Sequence, residues 1–249
     1  MSDSDTSEQG FQPEQPDRQR LVVLISGSGS NLQALIDAEA HDELGGEIAA
    51  VISNRGDAYG LVRAREAGIP AVVLPHHEYD SREAFDAALV KVIDRHAPDL
   101  IVLAGFMRIL TPAFVQRYHG RMLNIHPSLL PDYRGLNTHA RALADGVQEH
   151  GASVHFVTDE LDGGPVAVQA AVSVSPDDDE AALAERVLTR EHVIYPMAVR
   201  WFMQGRLKLA ADGPRLDNHP LPAGGLRLAP EDVTAVSYTH LTLPTIYSV

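Results

Sequence analysis

Apolar and polar positions alternate in blocks along residues 20–209, each block about the length of one strand or one helix. Residues 21–26 form a continuous apolar run, as for a strand buried on both faces. Gly27-Ser28-Gly29-Ser30-Asn31 follows, and 32–40 then reads as a helix. Residues 47–53 read as a second strand, 59–67 as a helix stopped by Gly68, and 71–74 as a short third strand. Over 82–96, Phe85, Leu89, Val92, Ile93 and His96 share one helical face, with Asp80 or Ser81 as the cap. Residues 100–104 are another apolar strand, and Thr111-Pro112 offers a cap and a proline at the first helical position.

Two later strands are expected over 153–157 and 166–174, antiparallel to each other around Asp162-Gly163-Gly164-Pro165. A long helix over 179–204 closes the pattern, with Pro196 as a kink. Strands alternating with helices at this spacing predict an α/β fold. Its core is a doubly wound, mostly parallel twisted sheet with helices on both faces. There is no repeat and no internal linker, so 20–209 is read as one catalytic domain. Residues 1–19, rich in Ser, Asp, Glu, Gln and Pro, bury too little apolar surface to offset their ordering entropy and are expected to be a disordered tail. Residues 210–235 are a C-terminal extension. The last stretch, 236–249, has no alternation leading on from what precedes it. It resembles translated cloning sequence and is left out of the fold reasoning.

Composition narrows the function classes. With 45% hydrophobic residues in 249, the chain can bury one substantial core. Lys and Arg number 20 against 34 Asp and Glu, a formal charge of −14. A surface this acidic suits nucleic acid poorly, so no nucleic-acid partner is expected. No run approaches a membrane span and the first residues lack a signal or transit pattern, so no membrane partner is expected either. The absence of Cys excludes disulfides and thiolate metal sites and fits a cytoplasmic enzyme.

Candidate chemistry lies in three places. In Met122-Leu123-Asn124-Ile125-His126-Pro127-Ser128-Leu129-Leu130-Pro131, Asn124 and His126 alternate to one side of an extended segment, and the two prolines stiffen its exit. An amide donor beside an imidazole suits carbonyl polarisation and proton transfer, although the pair could also only cap backbone groups. The glycine loop at 27–31 is a ready anion site at a helix start. It lacks the third glycine of a dinucleotide fingerprint and the acid after the second strand, so a monophosphate fits better; a bare tight turn is the alternative. The acidic run Thr158-Asp159-Glu160-Leu161-Asp162 is either a solvated turn or a carboxylate source for His126. His76, His77, His96 and His119 look ordinary, and no metal site is expected. His155 alternates with Val154 and Phe156, either facing the site in a supporting role or satisfied in the core.

Taken with Ala104-Gly105-Phe106-Met107-Arg108-Ile109-Leu110 and the run 153–165, these motifs resemble, in collinear order over about 20–209, the phosphoribosylglycinamide formyltransferases, folate-dependent enzymes of purine synthesis. The resemblance implies Asn124, His126 and Asp162 as a catalytic trio, and Gly29, Ser30 and Asn31 on the substrate phosphate. It implies Glu191 on the glycinamide substrate. Arg82, Met107, Arg108, Ile109 and Leu110 would contact the folate with Asn124, and Thr158, Asp159, Glu160, Leu161 and Asp162 would line its pterin end. Ser28, Asn137 and Tyr133-Arg134-Gly135 depart from the usual family pattern, and Arg134 bears on the stiffness of its loop.

The activity implied is transfer of a formyl group from 10-formyltetrahydrofolate, a co-substrate, to the amine of 5-phosphoribosylglycinamide. The amine attacks directly. Asn124 and a protonated His126 stabilise the tetrahedral intermediate, and Asp162 supports the imidazolium. One rival is a formyltetrahydrofolate deformylase, with water as attacker and an expected regulatory domain that 19 residues could not form. A methionyl-tRNA formyltransferase would need a more basic surface. A non-catalytic folate- or nucleotide-binding module would explain the glycine loop but not the trio.

Overall fold

A computed structural model of the chain describes residues 18–229. The tail expected over 1–19 lies outside the described residues but for Arg18 and Gln19, as does all of 236–249. In chain order the elements are β1 (Arg20–Ile25), α1 (Ser30–Ala40), β2 (Glu47–Ser53), α2 (Gly60–Glu66), β3 (Ala71–Val73) and α3 (Arg82–Asp94). Next come β4 (Leu100–Leu103), α4 (Pro112–Arg117), β5 (Met122–His126), α5 (Thr138–Ala144), β6 (Glu149–Phe156), β7 (Val166–Ser173) and α6 (Glu180–Met203). Short strands β8 (Leu207–Ala210), β9 (Gly213–Leu216), β10 (His219–Pro220) and β11 (Leu226–Leu228) follow.

The main sheet runs β11-β7-β6-β5-β4-β1-β2-β3. From β3 to β5 every pairing is parallel, then β6 runs antiparallel to both β5 and β7. Alternate residues of β1 feed opposite cores. Leu21, Val23 and Ile25 pack with α1, α2 and α6, while Val22 and Leu24 pack with α3 and α4. That division makes the fold doubly wound, as the continuous apolar run of β1 implies. Chain order reverses where β1 meets both β2 and β4, and the loops leaving β1, β4 and β5 open at the same carboxyl edge. Ligands bind at that kind of edge in open α/β sheets.

Helix starts follow their sequence signals. Ser81, Thr111 and Asp179 each accept a bond from the backbone N–H three residues on, each worth about 1 kcal/mol. Pro196 sits inside α6, which continues to Met203. Three features differ from expectation. Helix α5 is only 7 residues long, too short for a helical period to show in the sequence, and only Thr138 and Ala142 in it are buried. Strand β6 begins at Glu149 rather than 153, because His150 and Gly151 are buried in it; a Cβ on Gly151 would lie 2.1 Å from the Ala170 carbonyl. The end of the described chain carries strands that the sequence pattern did not predict: β8, β9 and β10 form a small sheet, and β11 adds a parallel edge strand beside β7.

Tyr195 of α6 pins the sheet where the site begins. Its ring is fully buried, and its hydroxyl lies 2.8 Å from the Leu103 carbonyl and 3.1 Å from the Leu123 carbonyl. Those carbonyls belong to the last residue of β4 and to the β5 residue just before Asn124. Tyr195→Phe leaves both without this donor and is expected to lower stability by about 1–3 kcal/mol in urea unfolding, with m unchanged. An unchanged midpoint would show that neither carbonyl depends on the hydroxyl.

Candidate active site

The loop leaving β5 is fixed by a buried polar row across three strands. Pairing sets His126 of β5 opposite Ser153 of β6, and Ser153 opposite Gln169 of β7. The Ser153 hydroxyl donates to the Ser128 carbonyl at 2.6 Å and accepts from Leu130 N–H at 3.0 Å and Gln169 Nε2 at 2.9 Å. Gln169 also donates to the Leu130 carbonyl at 2.8 Å. The prolines limit the loop, and this row, which the sequence does not announce, holds it in one place.

His126 is buried, and its protons follow from its neighbours. Its Nε2 lies 2.9 Å from the Tyr133 carbonyl, which can only accept, so Nε2 carries a proton. Its Nδ1 faces Asp162 Oδ2 at 3.4 Å, looser than a tight charge-assisted bond. Nδ1 is therefore the ring nitrogen that looks towards the carboxylate, while Nε2 is held by the backbone. The same Asp162 oxygen accepts from Gly135 N–H at 2.9 Å, and the side chain is only 9% exposed. Asp159 and Glu160 beside it are exposed, so one acid of the cluster turns inward.

Asn124 is oriented by the residue across the strand pair. His155 is its register partner, and His155 Nδ1 donates to the Phe156 carbonyl at 2.9 Å. The neutral ring then offers a lone pair on Nε2, which takes Asn124 Nδ2–H at 3.0 Å. Burial pulls the His155 pKa down to about 4, so it stays neutral near pH 7. The second amide hydrogen of Asn124 remains free for the cleft.

That cleft is lined by Asn124, His155, Thr158, Asp159, Glu160, Leu161 and Asp162 on one side and by Phe106, Arg108, Ile109 and Leu110 on the other. The expected folate residues meet there with two exceptions. Arg82 stands exposed in the first turn of α3, and Met107 turns its side chain outward at 66% exposure while its N–H donates to Ser26 Oγ at 2.8 Å. Arg108 lies over the Phe85 ring at 4.8 Å, a cation–π contact that aims it along the cleft wall.

The glycine loop lies at the other end of the carboxyl edge. Gly29, at φ 70, starts α1, whose first turn has no side-chain cap and no acid, so its amides stay open. Nothing stands near a Cβ built on Gly27, as backbone approach by a ligand requires. Gly29 has a different reason: its Cβ would lie 2.6 Å from the Gly60 Cα, so this glycine lets α2 pack as well. Asn31 donates to Glu191 Oε2 at 2.7 Å, and burial raises the Glu191 pKa against that bond. Asn31 thus lies beside Glu191, across 160 residues of chain. Where a dinucleotide site would need an acid after β2, Asn54 instead accepts from Ser26 Oγ at 2.6 Å.

His150 lies behind His126. It bonds to the Pro127 carbonyl and stacks edge-on with His139 and Tyr133. Burial lowers its pKa to about 4, as for His155. The unfolded chain binds these protons near the ordinary 6.5 and the folded chain resists them until about 4, so stability is full above 6.5 and is lost as pH falls between the two. The urea midpoint should drop from pH 7 to pH 5, and His150→Gln should remove part of that drop. A midpoint flat over this window would show that the histidines protonate in place.

The formyl transferase family matches residues 19–199. A phosphoribosylglycinamide formyltransferase of Escherichia coli (strain K12) is 58% identical over 205 residues, covering 82% of this chain and 97% of its own length. The solved phosphoribosylglycinamide formyltransferase of Coxiella burnetii aligns with a TM-score of 0.82 at 55% identity, over 85% of this chain and 99% of that one. A formyltetrahydrofolate deformylase of Pseudomonas syringae aligns at 30% identity and TM-score 0.73, covering 80% of this chain and 66% of its own.

Proposed function

We propose that this chain, which belongs to the formyl transferase family, transfers the formyl group of 10-formyltetrahydrofolate to the amine of 5-phosphoribosylglycinamide in purine synthesis. The observation that carries this reading is His126, held between the Tyr133 carbonyl and Asp162 beside an oriented Asn124. The folate brings the one-carbon unit; the chain brings orientation and electrostatics.

In this reading the nucleotide phosphate sits on the open amides of Gly29, Ser30 and Asn31, and Glu191 holds the glycinamide portion. The folate lies along Met107, Arg108, Ile109, Leu110 and the loop from Thr158 to Asp162, with Arg82 at the outer end. The amine attacks the formyl carbon directly, so no side-chain nucleophile takes part. Negative charge grows on the formyl oxygen, where the free Asn124 hydrogen and His126 Nδ1–H donate. Asp162 steadies the imidazolium as the proton moves from the amine towards the departing folate nitrogen, with water as relay. Residues 20–209 form the catalytic unit, and the following segment extends it. In this reading the site of action is the cytoplasm, as for the purine-synthesis formyltransferases that the chain resembles. No described helix is long and apolar enough to cross a membrane.

Deformylation uses the same trio with water as the attacker, and the lower identity to the deformylase sets it second. Folate absorbance separates the readings. Change that needs 5-phosphoribosylglycinamide supports transfer, change without it indicates hydrolysis, and no change indicates a binding module. His126→Ala should lower kcat by about a hundredfold to ten-thousandfold with far smaller changes in either KM. Near-normal turnover would remove His126 from the chemistry.

A further inference from the structure

Arg63, in α2, braces the glycine loop that precedes α1. Its Nε–H donates to the Ser28 carbonyl at 2.9 Å, its Nη1–H donates to Gln33 Oε1 at 3.0 Å, and its guanidinium lies 5.0 Å over the Tyr59 ring. These contacts hold one side chain in one pose, using a planar fork that lysine cannot copy. The start of α2 presses on the same loop, where Gly60 N–H donates to the Gly27 carbonyl at 3.1 Å.

The consequence lies in the plane of one peptide. A trans peptide points its C=O and N–H in opposite directions, so a Ser28 carbonyl turned to Arg63 turns the Gly29 N–H away from it. A glycine on the far side of that peptide bond makes the opposite orientation accessible, because glycine takes either sign of φ at little cost. A flipped Ser28–Gly29 peptide would offer an oxygen where it now offers a donor. Beside the open first turn of α1, that exchange would repel an anion instead of binding it.

We propose that Arg63 is a positioning residue for the nucleotide: it holds the Ser28–Gly29 peptide in its donor-facing orientation and so sets phosphate affinity without touching the chemical step. This rests on the reading of the glycine loop as the phosphate end. The test is steady-state kinetics of Arg63→Ala and Arg63→Lys on both substrates, with calorimetry of inorganic phosphate on the same proteins. Arg63→Ala should raise the KM for 5-phosphoribosylglycinamide roughly tenfold to a hundredfold, with kcat and the folate KM within about twofold. Arg63→Lys should recover little of that loss, and phosphate affinity should fall in parallel.

An unchanged nucleotide KM would overturn the role, and full rescue by lysine would reduce it to bare charge. Parallel losses in kcat and both KM values with a lower Tm would make Arg63 a residue of the fold alone. If the intact protein transfers no formyl group but Arg63→Ala still weakens phosphate, the function reading fails and this inference stands. If the intact protein binds no phosphate, both fail.

Discussion

The Asp162 carboxylate is the group on which the geometry of the site depends. One oxygen takes the Gly135 N–H and faces His126 Nδ1, and the other lies 3.8 Å from His155 Nε2. It thereby ties the loop after β5 to the loop between β6 and β7. Asp162 itself sits at φ 48, a backbone state that non-glycine residues enter only when their surroundings impose it. The imposing neighbour is the turn that follows. A Cβ on Gly164 would lie 1.8 Å from the Phe156 carbonyl, so the turn closes only with glycine there. Asp-Gly-Gly-Pro is thus a device for bringing one carboxylate back over the end of the strand pair.

The second constraint is register. The antiparallel pairing of β5 with β6 sets Asn124 opposite His155 and His126 opposite Ser153. A slip of β6 by one residue would turn His155 and Ser153 to the other face, away from Asn124 and His126. One pairing therefore orients the amide through His155 and fixes the loop beyond His126 through Ser153. The parallel half of the sheet contributes differently, by bringing the loops after β1 and β4 to one edge. Ser26 records the meeting: its hydroxyl donates to Asn54 and accepts from Met107, linking the ends of β1, β2 and β4.

What was legible in the sequence was local. Asn124 and His126 stand out because polar residues interrupt an apolar strand at spacing two and prolines follow. The buried runs of β1, β2 and β4 and the caps at Ser81 and Thr111 are local in the same way. What was not legible depends on partners far away in the chain. Nothing near Gly29 says that Gly60 needs its missing Cβ, and nothing near Arg63 points to Ser28. Gln169 looks like an ordinary strand residue until its amide is seen on Leu130 and Ser153. His155 could be singled out by alternation, but its work on Asn124 needed the register. Likewise the Tyr133 carbonyl, which fixes the proton on His126, carries no side-chain signature at all.

Asp162 is held to act on the chemistry through His126 rather than independently of it. A double-mutant cycle on kcat tests that claim most directly. If the carboxylate works by supporting the imidazolium, Asp162→Asn should cost about tenfold or more in the intact protein but only about threefold or less when His126 is already Ala. The two losses would then be strongly non-additive. An equal loss from Asp162→Asn in both backgrounds would contradict the account, because the carboxylate would then contribute without the histidine it faces.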